Sequence, residues 1–208
     1  MSDATSSTFT PAPLDSSKRT WLIASSCAGA AGAVALATPF VSSFSPSEKA
    51  KAAGAAVEVD IAALKPGEKM TVEWRGKPVW ILRRTPEQMA TLKKTDSEVA
   101  DPNSDRTAFP TPEYAKNEAR SRTDHPELLV VVGICTHLGC SPVDKFQTGV
   151  QPSLPDNWEG GFFCPCHGST FDLAGRVFKN KPAPDNLEVP PYVYLADTKL
   201  LIGEDKKA

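Results

Sequence analysis

The chain has 208 residues, 40% of them hydrophobic, with 23 basic against 25 acidic side chains and a net charge of −2. That allows one globular domain of modest size with additional segments around it. A balance so close to neutrality offers no basic face for nucleic acid, and the sequence carries neither a glycine-rich phosphate loop nor a serine-histidine-acid arrangement.

In chain order, residues 1–20 come first, with Asp3, Asp15 and no arginine before Arg19, unlike a mitochondrial transit peptide. A bacterial origin follows. Ser17-Lys18-Arg19-Thr20-Trp21-Leu22 reads as a weakened twin-arginine export signal with lysine in the first basic place, or as an ordinary signal anchor. From Trp21 to Phe44 there is no charge, and at 1.5 Å per residue this stretch would reach about 36 Å, enough to cross a bilayer. We expect a single transmembrane anchor over 21–44, rich in Ala, Gly and Ser, with Pro39 inside and small faces suited to packing on other membrane helices. Lys18 and Arg19 before it are nearly matched by Lys49 and Lys51 beyond it, so charge does not orient it. Cys27 within it reads as a small buried apolar side chain. Residues 45–56, alanine-rich with Pro46 and Gly54, read as a loose spacer of about 20 Å that stretches to roughly 40 Å.

From Val57 the runs turn β-rich: Val57 to Ile61, Met70 to Trp74, Lys77 to Leu82, Leu128 to Ile134, Gly161 to Cys164 and Tyr192 to Ile202, with turn signals at Pro66-Gly67, Arg75-Gly76 and Gly160-Gly161. This predicts an all-β head over 57–208. Thr85-Pro86-Glu87-Gln88 supplies a cap, a proline at the first helical position and a capping-box glutamine, opening a helix to about Lys94. Thr111-Pro112-Glu113 marks a possible second helix start. The polar insert from Thr95 to Asp124 reads as a solvated surface connection, and His125 as structural or solvent-facing.

Two loops, 134–143 and 163–172, then carry the chemistry. Cys135-Thr-His137-Leu-Gly-Cys140 is answered by Cys164-Pro-Cys166-His167-Gly-Ser169, which uses four of the five cysteines and two of the three histidines. Each loop brings one thiolate and one imidazole, a donor set that suits tetrahedral zinc or an iron-sulfur centre with mixed ligands. Each loop also has a spare cysteine, Cys140 and Cys166.

These boxes resemble those of the Rieske iron-sulfur proteins, specifically the Rieske subunits of cytochrome bc complexes. The resemblance extends to Trp74-Arg-Gly-Lys-Pro-Val-Trp80, Arg83-Arg-Thr-Pro-Glu87, Val99-Ala-Asp-Pro102, Pro182-Ala-Pro184 and Asn186-Leu187. It implies a Rieske-type antiparallel β-sandwich with a small cluster-binding subdomain, and one 2Fe-2S cluster as cofactor. By motif position Cys135 and Cys164 hold one iron, His137 and His167 the other, and Cys140 pairs with Cys166. A disulfide persists on an oxidising side of a membrane, so the head is expected in the periplasm and the anchor in the bacterial cytoplasmic (inner) membrane, crossed once.

The resemblance also implies a role: an electron-transfer subunit of a quinol:cytochrome c oxidoreductase, a translocase-type enzyme. Its partners would be cytochrome b and a c-type cytochrome in a dimeric complex, with ubiquinol or another quinol as donor. Two ferric ions, two sulfides and two thiolates sum to zero with neutral imidazoles, so an electron is accepted more readily than by an all-thiolate cluster, roughly between −150 and +300 mV. Ferric iron acidifies the remaining ring proton of a bound imidazole, which couples electron and proton uptake at His137 and His167. His167 is the expected contact for the quinol hydroxyl, with Leu138 at the docking surface. Ser169 matches a family serine that bonds a bridging sulfide. Phe171 stands where high-potential members carry a tyrosine, so a lower potential is expected. Pro182 and Pro184 would cover the cluster, although Lys179-Asn-Lys181 ahead of them departs from the family pattern. The spacer over 45–56 would be the hinge on which the head shuttles. Two other readings stand beside this one: the Rieske subunit of another exported oxidoreductase such as an arsenite oxidase, and a membrane-anchored protein with structural zinc.

Overall fold

The computed structural model describes residues 16–47 and 54–206. Residues 1–15, with Asp3 and Asp15, and the middle of the expected hinge, 48–53, lie outside the described residues. Two units divide the chain near residue 50.

Among the described residues, the first unit contains one helix, α1 (Ser16–Ser42), with Pro39 near its end. It starts five residues before the uncharged stretch and includes Lys18 and Arg19, so the basic pair stands on its first turns instead of preceding it. It is 27 residues long, and its most apolar 18-residue stretch has a mean hydropathy of 1.5, enough to cross a membrane. None of its side chains is buried within the chain, Cys27 included. Burial of that thiol would have to come from outside.

The second unit is built from three antiparallel sheets of three strands each. In chain order the strands are β1 (Val57–Asp60), β2 (Lys69–Trp74), β3 (Lys77–Arg83), β4 (Leu128–Val132), β5 (Val143–Lys145), β6 (Gly161–Phe163), β7 (Thr170–Phe171), β8 (Tyr192–Ala196) and β9 (Lys199–Ile202). Sheets β1-β9-β8 and β2-β3-β4 form the base, and β5-β6-β7 is the small sheet from which the two boxes project. The expected run Tyr192 to Ile202 is a hairpin, because the chain turns between Ala196 and Lys199. The short β5 and β7 escaped the sequence reading, since two or three residues show no alternation.

One buried cluster draws on all three sheets: Val59, Val79 and Ile81, Tyr192 and Leu200, Phe162 and Phe171. Strand β4, Leu-Leu-Val-Val-Val, is buried along its whole length, as a continuous apolar run predicts for a strand covered on both faces; each such side chain contributes about 1.5–3 kcal/mol. Base and small sheet meet where the Trp80 ring stacks on Phe162 at 5.0 Å. Gly133 makes this possible: a Cβ there would lie 2.2 Å from the indole. The Lys69 ammonium sits 4.0 Å from the Trp80 centroid while pairing with Asp144 on β5.

Helix α2 (Pro86–Thr95) begins as expected, with Thr85 accepting from the Gln88 N–H and Gln88 answering to the Thr85 N–H; a cap of this kind contributes about 1 kcal/mol. The candidate second helix is a single 3-10 turn, Glu113–Ala115.

The 95–124 insert does not behave as a solvated connection. Asp101, Ser104, Thr111, Ala115, Arg120 and Ser121 are all buried. Arg120, fully buried, donates from Nε to Ser104 Oγ, from Nη1 to the carbonyls of Ala174 and Gly175, and from Nη2 to Thr111 Oγ1 and the Leu187 carbonyl. Arg84 and Arg176 are buried nearby in the chain fold. Arg176 takes a carboxylate, Asp172, at 2.8 Å. Arg84 and Arg120 are held by carbonyls and hydroxyls instead, and desolvation draws the pKa of each down to about 10. His125 is half-buried, with Nδ1 3.4 Å from Glu127 and its ring against Tyr194, a structural position.

Candidate metal centre

Both boxes use one backbone device. In the first, the Cys135 N–H donates to the Cys140 carbonyl at 2.8 Å and the Gly139 N–H returns to the Cys135 carbonyl at 3.1 Å. In the second, Cys164 and Ser169 repeat the first bond at 2.8 Å, and Gly168 and Cys164 the second at 3.0 Å. Gly139 and Gly168 have φ of +84° and +78°, a left-handed conformation that costs a side chain roughly 1–2 kcal/mol. The glycine four residues after each leading cysteine is therefore required by the turn. That spacing was visible in the sequence, and its meaning was not read there.

The leading cysteines, Cys135 and Cys164, are buried and free. Their sulfurs are neighbours. Burial pushes the Cys135 thiol above its ordinary value and Cys164 beside it adds to the push, while the His137 N–H and the Ser169 hydroxyl pull the other way. The spare cysteines, Cys140 and Cys166, form a disulfide between the loops, with Cα atoms 6.7 Å apart. The sulfurs of Cys140, Cys164 and Cys166 lie within 4.8 Å of one another. Two of those three are bonded together, which leaves Cys164 and Cys135 as the free thiols that could serve as donors.

The imidazoles of His137 and His167 meet edge to face with centroids 4.8 Å apart. His137 is half-buried and His167 exposed. Leu138, next to His137 in the first loop, is 72% exposed. A pair of buried sulfurs with a pair of outward imidazoles fits a two-iron cluster held by sulfur on its inner side and nitrogen on its outer side.

A third segment closes over both loops. The Thr136 hydroxyl donates to the Asp185 carbonyl at 2.6 Å, and the Ala183 N–H donates to Ser169 Oγ at 3.0 Å. Ala183 is buried and its flanking prolines, Pro182 and Pro184, are exposed. In the divergent Lys179-Asn-Lys181, Asn180 has φ of +57°, a conformation asparagine tolerates better than most residues. Phe171 lies fully buried in β7, paired with Phe162. Thr136, Arg120 and the Ala183 amide are the site's supporting groups that sequence reasoning missed. Their partners are distant in the chain, so no local spacing announces them.

Sheet order, twin loops and donor set together define a Rieske protein, and the Rieske [2Fe-2S] domain family matches residues 114–192. Its cofactor is accordingly a 2Fe-2S cluster. Over longer spans the chain is similar to ubiquinol-cytochrome c reductase iron-sulfur subunits. That of Allochromatium vinosum is 52% identical over 189 residues, covering 91% of this chain and 89% of the relative. That of Bradyrhizobium diazoefficiens is 41% identical over 87% and 90% of the two chains, and that of Rhodospirillum rubrum 39% over 98% and 100%. The chain belongs to the family of ubiquinol-cytochrome c reductase iron-sulfur subunits.

Proposed function

We propose that this chain is the electron-transfer subunit of a bacterial quinol:cytochrome c oxidoreductase. Cys135 and Cys164 hold the inner iron, and His137 and His167 the outer one. The observation that carries the reading is the pair of imidazoles presented edge to face at 4.8 Å beside Leu138, with the thiols buried behind them. When bound, the cluster supplies a one-electron acceptor.

The protein's residues do the rest. His167, the more exposed imidazole, offers its free ring nitrogen to the quinol hydroxyl and takes the proton there. Leu138 gives that contact an apolar rim, which excludes water from the hydrogen bond and strengthens it. The Cys140–Cys166 disulfide holds the loops together while their histidines stay at the surface. Cytochrome partners are needed because the quinol's second electron requires another acceptor, a b-type haem, and the electron taken here passes on to a c-type haem. A dimeric complex is the corresponding assembly.

The uncharged stretch 21–44, helical up to Ser42 in α1, is the anchor in the cytoplasmic membrane. Residues 1–20 stay cytoplasmic, and the head stands in the periplasm, where the disulfide persists. Identity of 52% to a reductase iron-sulfur subunit favours this reading over an arsenite oxidase or a zinc protein.

A visible and EPR spectrum of the purified full chain tests the assignment. We expect a reducible chromophore with acid-labile sulfide; a colourless protein containing zinc overturns it. Substituting prolines in 45–56 tests the hinge. We expect slower turnover with an unchanged spectrum, and unaltered turnover removes the shuttling role.

A further inference from the structure

The 95–124 insert reaches the cluster loops through a continuous set of hydrogen bonds. Arg120 is its hub. Its guanidinium gathers the Ala174 and Gly175 carbonyls, from the turn after β7, and the Leu187 carbonyl, from the end of the proline segment. Ser104 Oγ accepts from both Arg120 Nε and Asn186 Nδ2. Asn186 also donates to the Asp101 carbonyl and accepts from the Val177 N–H, and the Leu187 N–H bonds the Gly175 carbonyl. Residues 186 and 187 are thus tied to the insert on one side and to the 172–177 turn on the other.

One and three residues upstream of Asn186, the same segment touches both boxes. The Asp185 carbonyl takes the Thr136 hydroxyl, and the Ala183 N–H occupies a lone pair of Ser169 Oγ. Ser169 is fully buried, and a buried hydroxyl proton must find an acceptor. With one lone pair committed to Ala183, the hydroxyl rotates its proton away from that amide, toward the sulfur side of the site. Its orientation therefore depends on where Ala183 is held.

We infer that Arg120 is a positioning residue for the metal centre: by fixing the 183–187 segment it aims the Ser169 hydroxyl, so that an insert residue sets part of the cluster's reduction potential. Donors to cluster sulfur stabilise the reduced state and raise the potential. The inference rests on the cluster assignment above, and the two fail in different ways. A colourless parent protein sinks that assignment, whereas this inference is judged on the potentials of coloured variants and on exchange at the Ala183 amide.

The test uses the full chain carrying Arg120→Gln and, as a milder break, Ser104→Ala, which removes the acceptor shared by Arg120 and Asn186. Each is made in the parent and in a Ser169→Ala background. We expect a lower midpoint potential and an altered EPR line shape in both variants, and faster hydrogen exchange at the Ala183 amide. In the Ser169→Ala background the potential shift should vanish, because no hydroxyl is left to aim. Coloured variants with the parent's potential overturn the inference. So does a shift that persists in the Ser169→Ala background, which would mark a direct field of the guanidinium. If Arg120→Gln fails to take up the cluster, the Ser104→Ala potential decides; an Ala183 amide that exchanges at the parent's rate in both variants overturns the inference whatever their colour.

Discussion

The two boxes share a backbone and differ in what they hang on it. Each closes the same turn, from the leading cysteine to the residue five on, over a glycine at positive φ. Position five is Cys140 in the first loop and Ser169 in the second; position two is His137 in the first and Cys166 in the second. The disulfide therefore runs from the end of one turn to the middle of the other, and the histidines stand at positions two and three. An identical frame with offset loading lets two imidazoles meet edge to face while the sulfurs stay behind them. It also leaves Ser169, alone at its end of the frame, as the hydroxyl that the proline segment can reach.

The largest break in this comparison removes a donor. His137→Ala, His167→Ala and serine in place of Cys135 or Cys164 should each abolish the Rieske spectrum and electron flow, with no difference between loops. A variant retaining both would show that its donor is not a ligand. Next comes the bond that joins the frames. Cys140→Ser should cost about 3.5 kcal/mol on the chain-entropy account of its loop, where the sequence separation is 26. The measurement is denaturant unfolding, and Cys166→Ser should give the same loss, because either change breaks one bond.

Smaller and more discriminating are the two glycines. A Cβ at Gly139 or Gly168 would meet nothing within 4 Å, so alanine at either should cost only the left-handed strain, roughly 1–2 kcal/mol. Equal losses in thermal unfolding would establish the frames as energetically equivalent; unequal ones would place extra strain in one loop. Alanine at Gly161, where a Cβ would lie 2.0 Å from the Phe171 carbonyl, should cost far more and serves as the packed control. Smallest is Phe171→Tyr. A new hydroxyl bond to the cluster's surroundings is worth on the order of 1 kcal/mol, about 40 mV for a one-electron couple. Potentiometry should find the potential raised, and an unchanged or lower value would detach Phe171 from the tuning.

Much of the base was legible before any coordinates. Continuous apolar runs such as Leu128 to Val132, and turn pairs such as Arg75-Gly76, report burial and reversal locally, so their strands emerged within a residue or two. Local signals also located the α2 cap. They failed at β7, two residues long, and most plainly at the insert. Arginine, serine and threonine read as solvent-exposed unless their partners are known, and Arg120's carbonyl acceptors come from Ala174, Gly175 and Leu187, 54 to 67 residues away.

By itself the sequence named the candidate donors, two cysteines and two histidines in paired boxes, and it determined an uncharged stretch ahead of them and an all-β head to carry them. Covalent neighbourhood settles such things, because ligand spacing and turn chemistry act over a few residues. Only the tertiary structure decided that the 95–124 insert is a brace, that Ala183 holds Ser169, and that three guanidinium groups lie inside the head. Those facts depend on which distant carbonyls are brought within hydrogen-bond reach, and burial makes every one of those bonds obligatory.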